Sequence, residues 1–267
     1  MYALTSLTHT NYFYFMKKDT IVKGFIAMGM LGLVAFLVPA GAVRAESMNS
    51  ENSMHITASN KMPQIKAKAD QAIAKRIDSL NKLIAWVNGM EKLSADAKAT
   101  YVAKAQTNIS NLTTLRAKIA ADTDMAILKA DAASITKAYR IYMLVIPQVR
   151  IMANADRLNV AGNEATTNAT SLQTRINTAA SAGKDVTALT TKMASMNTKI
   201  AQAHTSADQS KAAVTSLVPD NGNETMIASN KAALANGKKF AQSASASLKS
   251  AREDARSINK SLKMLGF

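Results

Sequence analysis

From Ile73 onward the apolar residues of this chain recur every three or four positions. Ile73, Ile77, Leu80, Ile84 and Val87 fall in steps of 4, 3, 4 and 3, a heptad seam on one helix face. Leu83 and Trp86 widen it. The spacing predicts a first helix from near Gln64, just after Pro63, with Gly89 in its last turn. Ser94 is placed to cap a second helix, with Asp96 in the first turn, where the helix dipole favours negative charge. Val102, Ala105, Ile109, Leu112, Leu115 and Ile119 carry its face. The link Asp122-Thr123-Asp124 offers the next cap. The pattern then runs from Met125 to about Ala182, with a break expected near Asp131.

Gly183 ends that stretch and Asp185 opens the next. Val186, Leu189, Met193, Met196, Ile200, Ala203, Ala207, Ser210, Val214 and Leu217 keep a clean register until Pro219-Asp220-Asn221-Gly222 stops it with strong turn chemistry. The last helix repeats the register through Ile227, Asn230, Leu234, Gly237, Ala241, Ala244, Leu248, Ala251, Ala255, Ile258, Leu262 and Leu265. Sustained heptads mean supercoiled helix packing. Small seam residues such as Gly237, Ala241 and Ala244 let another backbone come close, and a polar seam residue, Asn230, can fix register.

The most hydrophobic part beyond the N-terminal region is Tyr139 to Met152. Arg140, Pro147 and Arg150 argue against a membrane span there. A helix apolar all round is a buried one, so this stretch is expected at the centre, kinked at Pro147. The first two helices, of about 27 residues, reach about 40 Å each, and the third, of nearly 58, about twice that. The predicted fold is all-α: an elongated bundle of about five helices with coiled-coil-like seams, as two three-helix layers sharing one long central helix. Residues 64–150 form the N-terminal layer and 151–267 the C-terminal one. The competing arrangement is a helical hairpin that completes its bundle by self-association through the seams.

The N-terminal region reads differently. Met16, Lys17 and Lys18 make a basic start, Gly24 to Val38 is an uncharged apolar run, and Val43 and Ala45 place small residues before a cut ahead of Glu46. Residues 16–45 thus read as a bacterial signal peptide, and residues 1–15 as an upstream start ahead of the true one at Met16. The alternative is an uncleaved anchor, since Gly24 to Val43 is long enough to span a bilayer. Residues 46–63 are polar and without period, and read as a disordered leader. The expected location is exported: periplasmic, cell-surface or extracellular. The chain has no cysteine, which excludes disulfides, thiol catalysis and lipid-modified cysteine.

Composition adds a partner class. The chain has 33 Lys+Arg against 18 Asp+Glu; without Lys17, Lys18, Lys23, Arg44 and Asp19, 29 remain against 17. Such an excess favours anionic envelope polymers, acidic lipid surfaces or nucleic acid.

The stretch Arg76 to Asn159, opening RIDSLNKLIAWVNGM, and the closing AREDARSINKSLK, Ala251 to Lys263, resemble a group of exported all-helical proteins of uncultured small-genome bacteria. The resemblance covers most of the chain after Ala45. It implies export and helices, and since the group has no assigned activity it implies no residue roles.

Candidate chemistry is sparse. Of the histidines His9, His55 and His204, only His204 lies on a predicted helix, beside seam residue Ala203, where a half-buried or exposed helix residue is the plain reading. No metal is expected, because a site needs several converging ligands. The Asp122/Asp124 pair lacks the oxygen ligands of a calcium loop, and capping explains it better. No nucleophile elbow or phosphate-binding glycine loop is present, so neither catalytic residues nor a cofactor are assigned. Lys249, Arg252, Arg256, Lys260 and Lys263 recur in steps of 3, 4, 4 and 3 beside the last seam, with Glu253 and Asp254 expected on other faces and Lys238 and Lys239 upstream. These five are the candidate polyanion-binding residues. The plain alternative is a solvated flank favoured at a helix C-terminus. The absence of interleaved aromatics disfavours single-stranded nucleic acid and specific nucleic-acid recognition. The functional expectation is a noncatalytic scaffold or interaction protein of the cell envelope. The runner-up is a basic extracytoplasmic holdase for exported proteins, and a hydrolase comes third.

Overall fold

The structure, a computed structural model, describes residues 50–267. The readings made for Met1 to Ala45, the upstream start and the export signal with its anchor alternative, lie outside the described residues. Residues 50–267 belong to one compact unit.

Six α-helices fill it: α1 (Ser50–Asn88), α2 (Ala95–Ala121), α3 (Met125–Lys137), α4 (Ile146–Ser181), α5 (Thr187–Thr215) and α6 (Glu224–Met264), with a π-helical turn at Ile141–Val145. The described residues contain no strand. α1, α2 and α3 pack together, as do α4, α5 and α6, so the bundle is built as two three-helix sets. Among the described residues no helix is long and apolar enough to cross a membrane.

The seams of α5 and α6 are occupied as their registers require. Leu189, Met193, Met196, Ile200, Ala203, Ala207, Ser210 and Val214 are buried on α5. Asn230, Leu234, Gly237, Ala241, Ala244, Leu248, Ala251, Ile258 and Leu262 are buried on α6. Both seams are therefore filled within one chain. The caps at Ser94 and Asp124 follow sequence, whereas α5 starts from Val186, one residue past the expected Asp185, and α6 from Asn223. Ser94 accepts from the Ala97 amide, Asp124 from Ala126 and Ile127, Asp185 from Thr187, and Asn223 from Met226. α4 closes on Gly183 (φ 75°), whose amide bonds Ala180 O while Lys184 N bonds Ala179 O, the paired 5→2 and 6→1 bonds that only a left-handed residue allows.

Three expectations are corrected. α1 begins at Ser50 and carries Pro63 inside it, so the helix takes in part of the stretch expected as a leader. A proline removes one donor and crowds the carbonyl four residues back, which a long helix can absorb without ending. Second, there is no single long third helix and no break at Asp131, which lies within α3. The chain leaves helix at Ala138, passes through Arg140 in the left-handed region (φ 44°, ψ 36°), and winds a π turn into α4. Pro147 cannot donate to a carbonyl in the preceding turn, and the wider turn, closed by Val145 N on Arg140 O and Ile146 N on Ile141 O, accommodates it. Third, Tyr139 to Met152 is not covered on all sides. Ile141, Leu144, Val145, Val149, Ile151 and Met152 are buried, but Tyr142 and Met143 are 47% and 60% exposed.

The buried members of that stretch do lie at the junction. They share one core with Ile73, Leu80 and Val87 of α1, Leu112 and Ile119 of α2, and Val214 and Leu234 of α5 and α6. Beyond it, Ala169, Leu172 and Ile176 meet Met193, Met196, Ile258 and Leu262 in a second core. Polar bonds fasten the junction. Gln148, fully buried, donates to the carbonyls of Val214, Thr215 and Leu217 at 2.5, 3.3 and 3.2 Å, satisfying the end of α5. Tyr101 Oη donates to Asp156 Oδ2 at 2.5 Å, and Lys211 Nζ reaches Asp156 Oδ1 at 2.7 Å, joining α2, α4 and α5.

Candidate polyanion-binding face

α6 is the longest helix, and its lower half carries the candidate cations. Its seam is cut to let neighbours approach. A Cβ on Gly237 would lie 2.8 Å from Val214 Cγ1, 3.1 Å from Ile151 Cγ2 and 3.2 Å from Ser210 O, and buried Ser210 donates its hydroxyl to Gly237 O at 2.7 Å. With one side so closely held, the flank of α6 is fixed relative to solvent.

Lys249, Arg252, Arg256, Lys260 and Lys263 are all exposed, and no side chain among them forms a hydrogen bond or ion pair with a described residue. At 100° per residue they cover roughly 80° of the helix circumference, one flank beside the seam. The structure therefore brings the five together on a single face. Asp254 is turned away to α5, where Lys199 Nζ lies 2.6 Å and Ser195 Oγ 3.1 Å from its Oδ2. Glu253 departs from the expectation: four residues past Lys249 and three before Arg256, it stands at the edge of the same flank, exposed and without a side-chain partner among the described residues. The step from Lys249 to Glu253 carries that signal in the sequence itself.

The electropositive region is wider than the stripe. Residues 165–207 and 238–267, the far end of α4, α5 and α6, contain eleven Lys+Arg and three acids, Asp185, Glu253 and Asp254. Asp185, just ahead of α5, accepts from the Thr187 amide and hydroxyl, and Asp254 is held by Lys199. Arg175 of α4 donates to Asn259 Oδ1 at 2.6 Å and to the backbone oxygen of Phe267 at 2.8 Å, placing a further cation at the edge of the stripe. Lys192 of α5 bonds Ser257 on the opposite side of α6.

The other candidates resolve differently. His204 is half-buried, its Nδ1 3.0 Å from Asn159 Oδ1, with its ring packed on Gly162. Asp122 and Asp124 do not act as a pair. Asp124 caps α3, while Asp122 at the end of α2 faces Asp131, and Oδ2 of each is buried without a partner. Burial, then the Asp131 charge, push the Asp122 carboxyl up, against the pull of Lys118 and Lys66. Among the described residues no group of three or more His, Cys, Asp or Glu is placed to hold a metal ion. A shallow groove of about 370 Å³ between α1 and α2 is lined by Lys66, Asp70, Gln71, Ile73, Arg116 and Ile119, and the Arg116–Asp70 ion pair lines it.

The apolar periodicity did not mark two groups. Arg140 Nη2 donates to Asp220 Oδ1 at 2.8 Å, and Nε lies 2.8 Å from Oδ2 as an ionic contact without hydrogen-bond geometry. Two residues past Arg140, the Tyr142 ring has Arg76 5.3 Å from its centroid; Trp86, read as widening the α1 seam, is instead 39% exposed, with Arg150 5.9 Å from its ring centroid.

No protein-family model matches the chain, and no match to it is found among curated proteins or solved structures.

Proposed function

We propose that this chain is an exported, noncatalytic helical interaction protein of the cell envelope that contacts anionic polymers or lipid surfaces through the basic flank of α6. Membership of the exported all-helical group that its sequence resembles is part of the same reading. The observation that carries the reading is the row of five exposed cations, Lys249 to Lys263, none of them paired with an acid among the described residues. Of the two neighbouring acids, Asp254 is held by Lys199 of α5, and Glu253 alone stands at the edge of the row, against five cations. Unpaired cations in a row attract polyanions by releasing the counterions of the polymer.

The test is retention of the chain on purified envelope material at low and at high salt. Strong binding at low salt that is lost at high salt is the expected result. Absence of binding at low salt rejects the reading.

The holdase reading has one observation in its favour. Trp86, Tyr142 and Met143 expose apolar surface near the junction, at 39%, 47% and 60%. Suppression of aggregation of an unfolded client that persists at high salt would favour it over the electrostatic reading.

A further inference from the structure

Resting on the polyanion reading above, we infer that the partner of α6 is a linear anionic polymer lying along the helix rather than a lipid surface. The geometry of the stripe is one-dimensional. Lys249 to Lys263 covers about 21 Å at 1.5 Å per residue, with cations following one another at rises of about 4.5 to 6 Å. A chain bearing closely spaced charges can meet all five in sequence.

A membrane-surface helix is built otherwise. It sets an apolar face of Trp, Phe or Leu into the headgroup boundary and flanks that face with cations. The apolar face of α6 is buried against α4 and α5: Leu234, Leu248, Ile258 and Leu262 are all within the cores. Along the flank the residues between the cations are small or polar, and the exposed large apolar residues of α6 are Met226 and Met264 at its two ends. Glu253 adds a second argument. An acid at the edge of the row is pressed against negative charge by a plane of headgroups, whereas a single strand can run past it on the Arg252–Arg256 side.

The experiment compares the full chain with a variant carrying Lys249→Gln, Arg252→Gln, Arg256→Gln, Lys260→Gln and Lys263→Gln, its helicity checked by circular dichroism. Probes are long-chain inorganic polyphosphate, tripolyphosphate, and vesicles of phosphatidylcholine and phosphatidylglycerol in equal parts. The difference between the two proteins isolates the stripe from any other contact. Long-chain polyphosphate is expected to bind the wild type at least about tenfold more tightly than tripolyphosphate, with a log–log salt slope steeper by about 3.5 than that of the variant. Glu253→Gln should tighten polymer binding about twofold without loss of that slope. A stripe-dependent gain on vesicles that exceeds the gain on polymer overturns the inference and leaves the polyanion reading standing. Tripolyphosphate binding as tightly as the long chain, or polymer binding that the five substitutions leave unchanged, also overturns it. If neither polymer nor vesicles bind, the polyanion reading itself falls.

Discussion

Arg140 and Asp220, eighty residues apart in sequence, meet in an ion pair at the break between α3 and α4. The pair joins two irregular points. Arg140 sits in the left-handed region, which costs a non-glycine residue about 1 kcal/mol or more. Asp220 lies in the α5–α6 turn, where its Oδ1 also accepts from the Gly222 amide at 2.8 Å. Burial works to raise the Asp220 carboxyl, but the Arg140 hydrogen bond, the Gly222 amide and the Arg140 charge outweigh it and hold it below the usual range.

Arg140→Met is therefore expected to cost about 3–5 kcal/mol, because it strands a buried carboxylate. The Arg140→Met, Asp220→Asn double variant should recover part of that loss. Urea denaturation of the four proteins measures both, and a single-variant loss within about 0.5 kcal/mol would show that the pair does not hold the joint. The Asp220 share of stability is present above its unfolded value of 3.8 and lost as pH falls through the lower folded value.

Asp122 predicts the opposite slope. Its carboxyl is raised in the folded chain, so its contribution is fully present below 3.8 and is lost as pH rises. The facing groups are Asp131, Lys118 and Lys66. Asp122→Asn should raise the thermal midpoint at neutral pH, since an amide can donate to the unpartnered Asp131 Oδ2. The gain should shrink as pH approaches 3.8, and an unchanged gain at both pH values would remove the carboxyl pair from the account.

Tyr101 gives an alkaline test. Burial, the hydrogen bond to Asp156 and the Asp156 charge push its phenol well above the usual value of 10.0. Stability is thus full below pH 10 and declines as pH rises towards the folded value. Tyr101→Phe should cost about 1.5–3 kcal/mol at pH 8, as a lost bond to a charged acceptor, and should flatten the decline above pH 10. Chemical denaturation at the two pH values checks both.

The two buried helical glycines should respond differently to alanine. Alanine gains about 1 kcal/mol of helix propensity. At Gly237 the new methyl would meet Val214, Ile151 and the Ser210 backbone, so the net effect should be a loss of about 1–3 kcal/mol. At Gly162 it would meet the His204 ring at 2.5 Å, and a ring can turn away at the expense of its Asn159 bond. Gly162→Ala should therefore cost less than Gly237→Ala, as compared by thermal midpoints.

The all-helical fold, the seams of α5 and α6 and the caps were legible because each rests on local spacing. Leu189 and Met193 are buried for the same reason that their spacing repeats. The five cations were legible as one flank by the same arithmetic, and Glu253 beside them was misplaced although its step from Lys249 was in view. What escaped depends on distant partners. Nothing around Arg140 announces a left-handed residue, because the carboxylate that accompanies it belongs to another turn. Tyr101 was passed over in favour of Val102 because an aromatic with a hydroxyl can lie on either side of a seam until its acceptor is known. Asp131 was read as a point of interruption, when its role is to face Asp122 across the α2–α3 link.

The distance between Arg140 and Asp220 along the chain also orders events in time. A ribosome delivers the N-terminal helices first, and eighty further residues must follow Arg140 before its carboxylate exists. Until then the joint lacks its ion pair, and residues 138–145 are held from outside only by the first helices, through Tyr139 on Asn111 O and Tyr142 on Lys75 O. The core that α1 and α2 share with Val214 and Leu234 likewise closes only when the second half arrives. Truncation ahead of the α5–α6 turn would remove the lock from a segment that the truncation never touches.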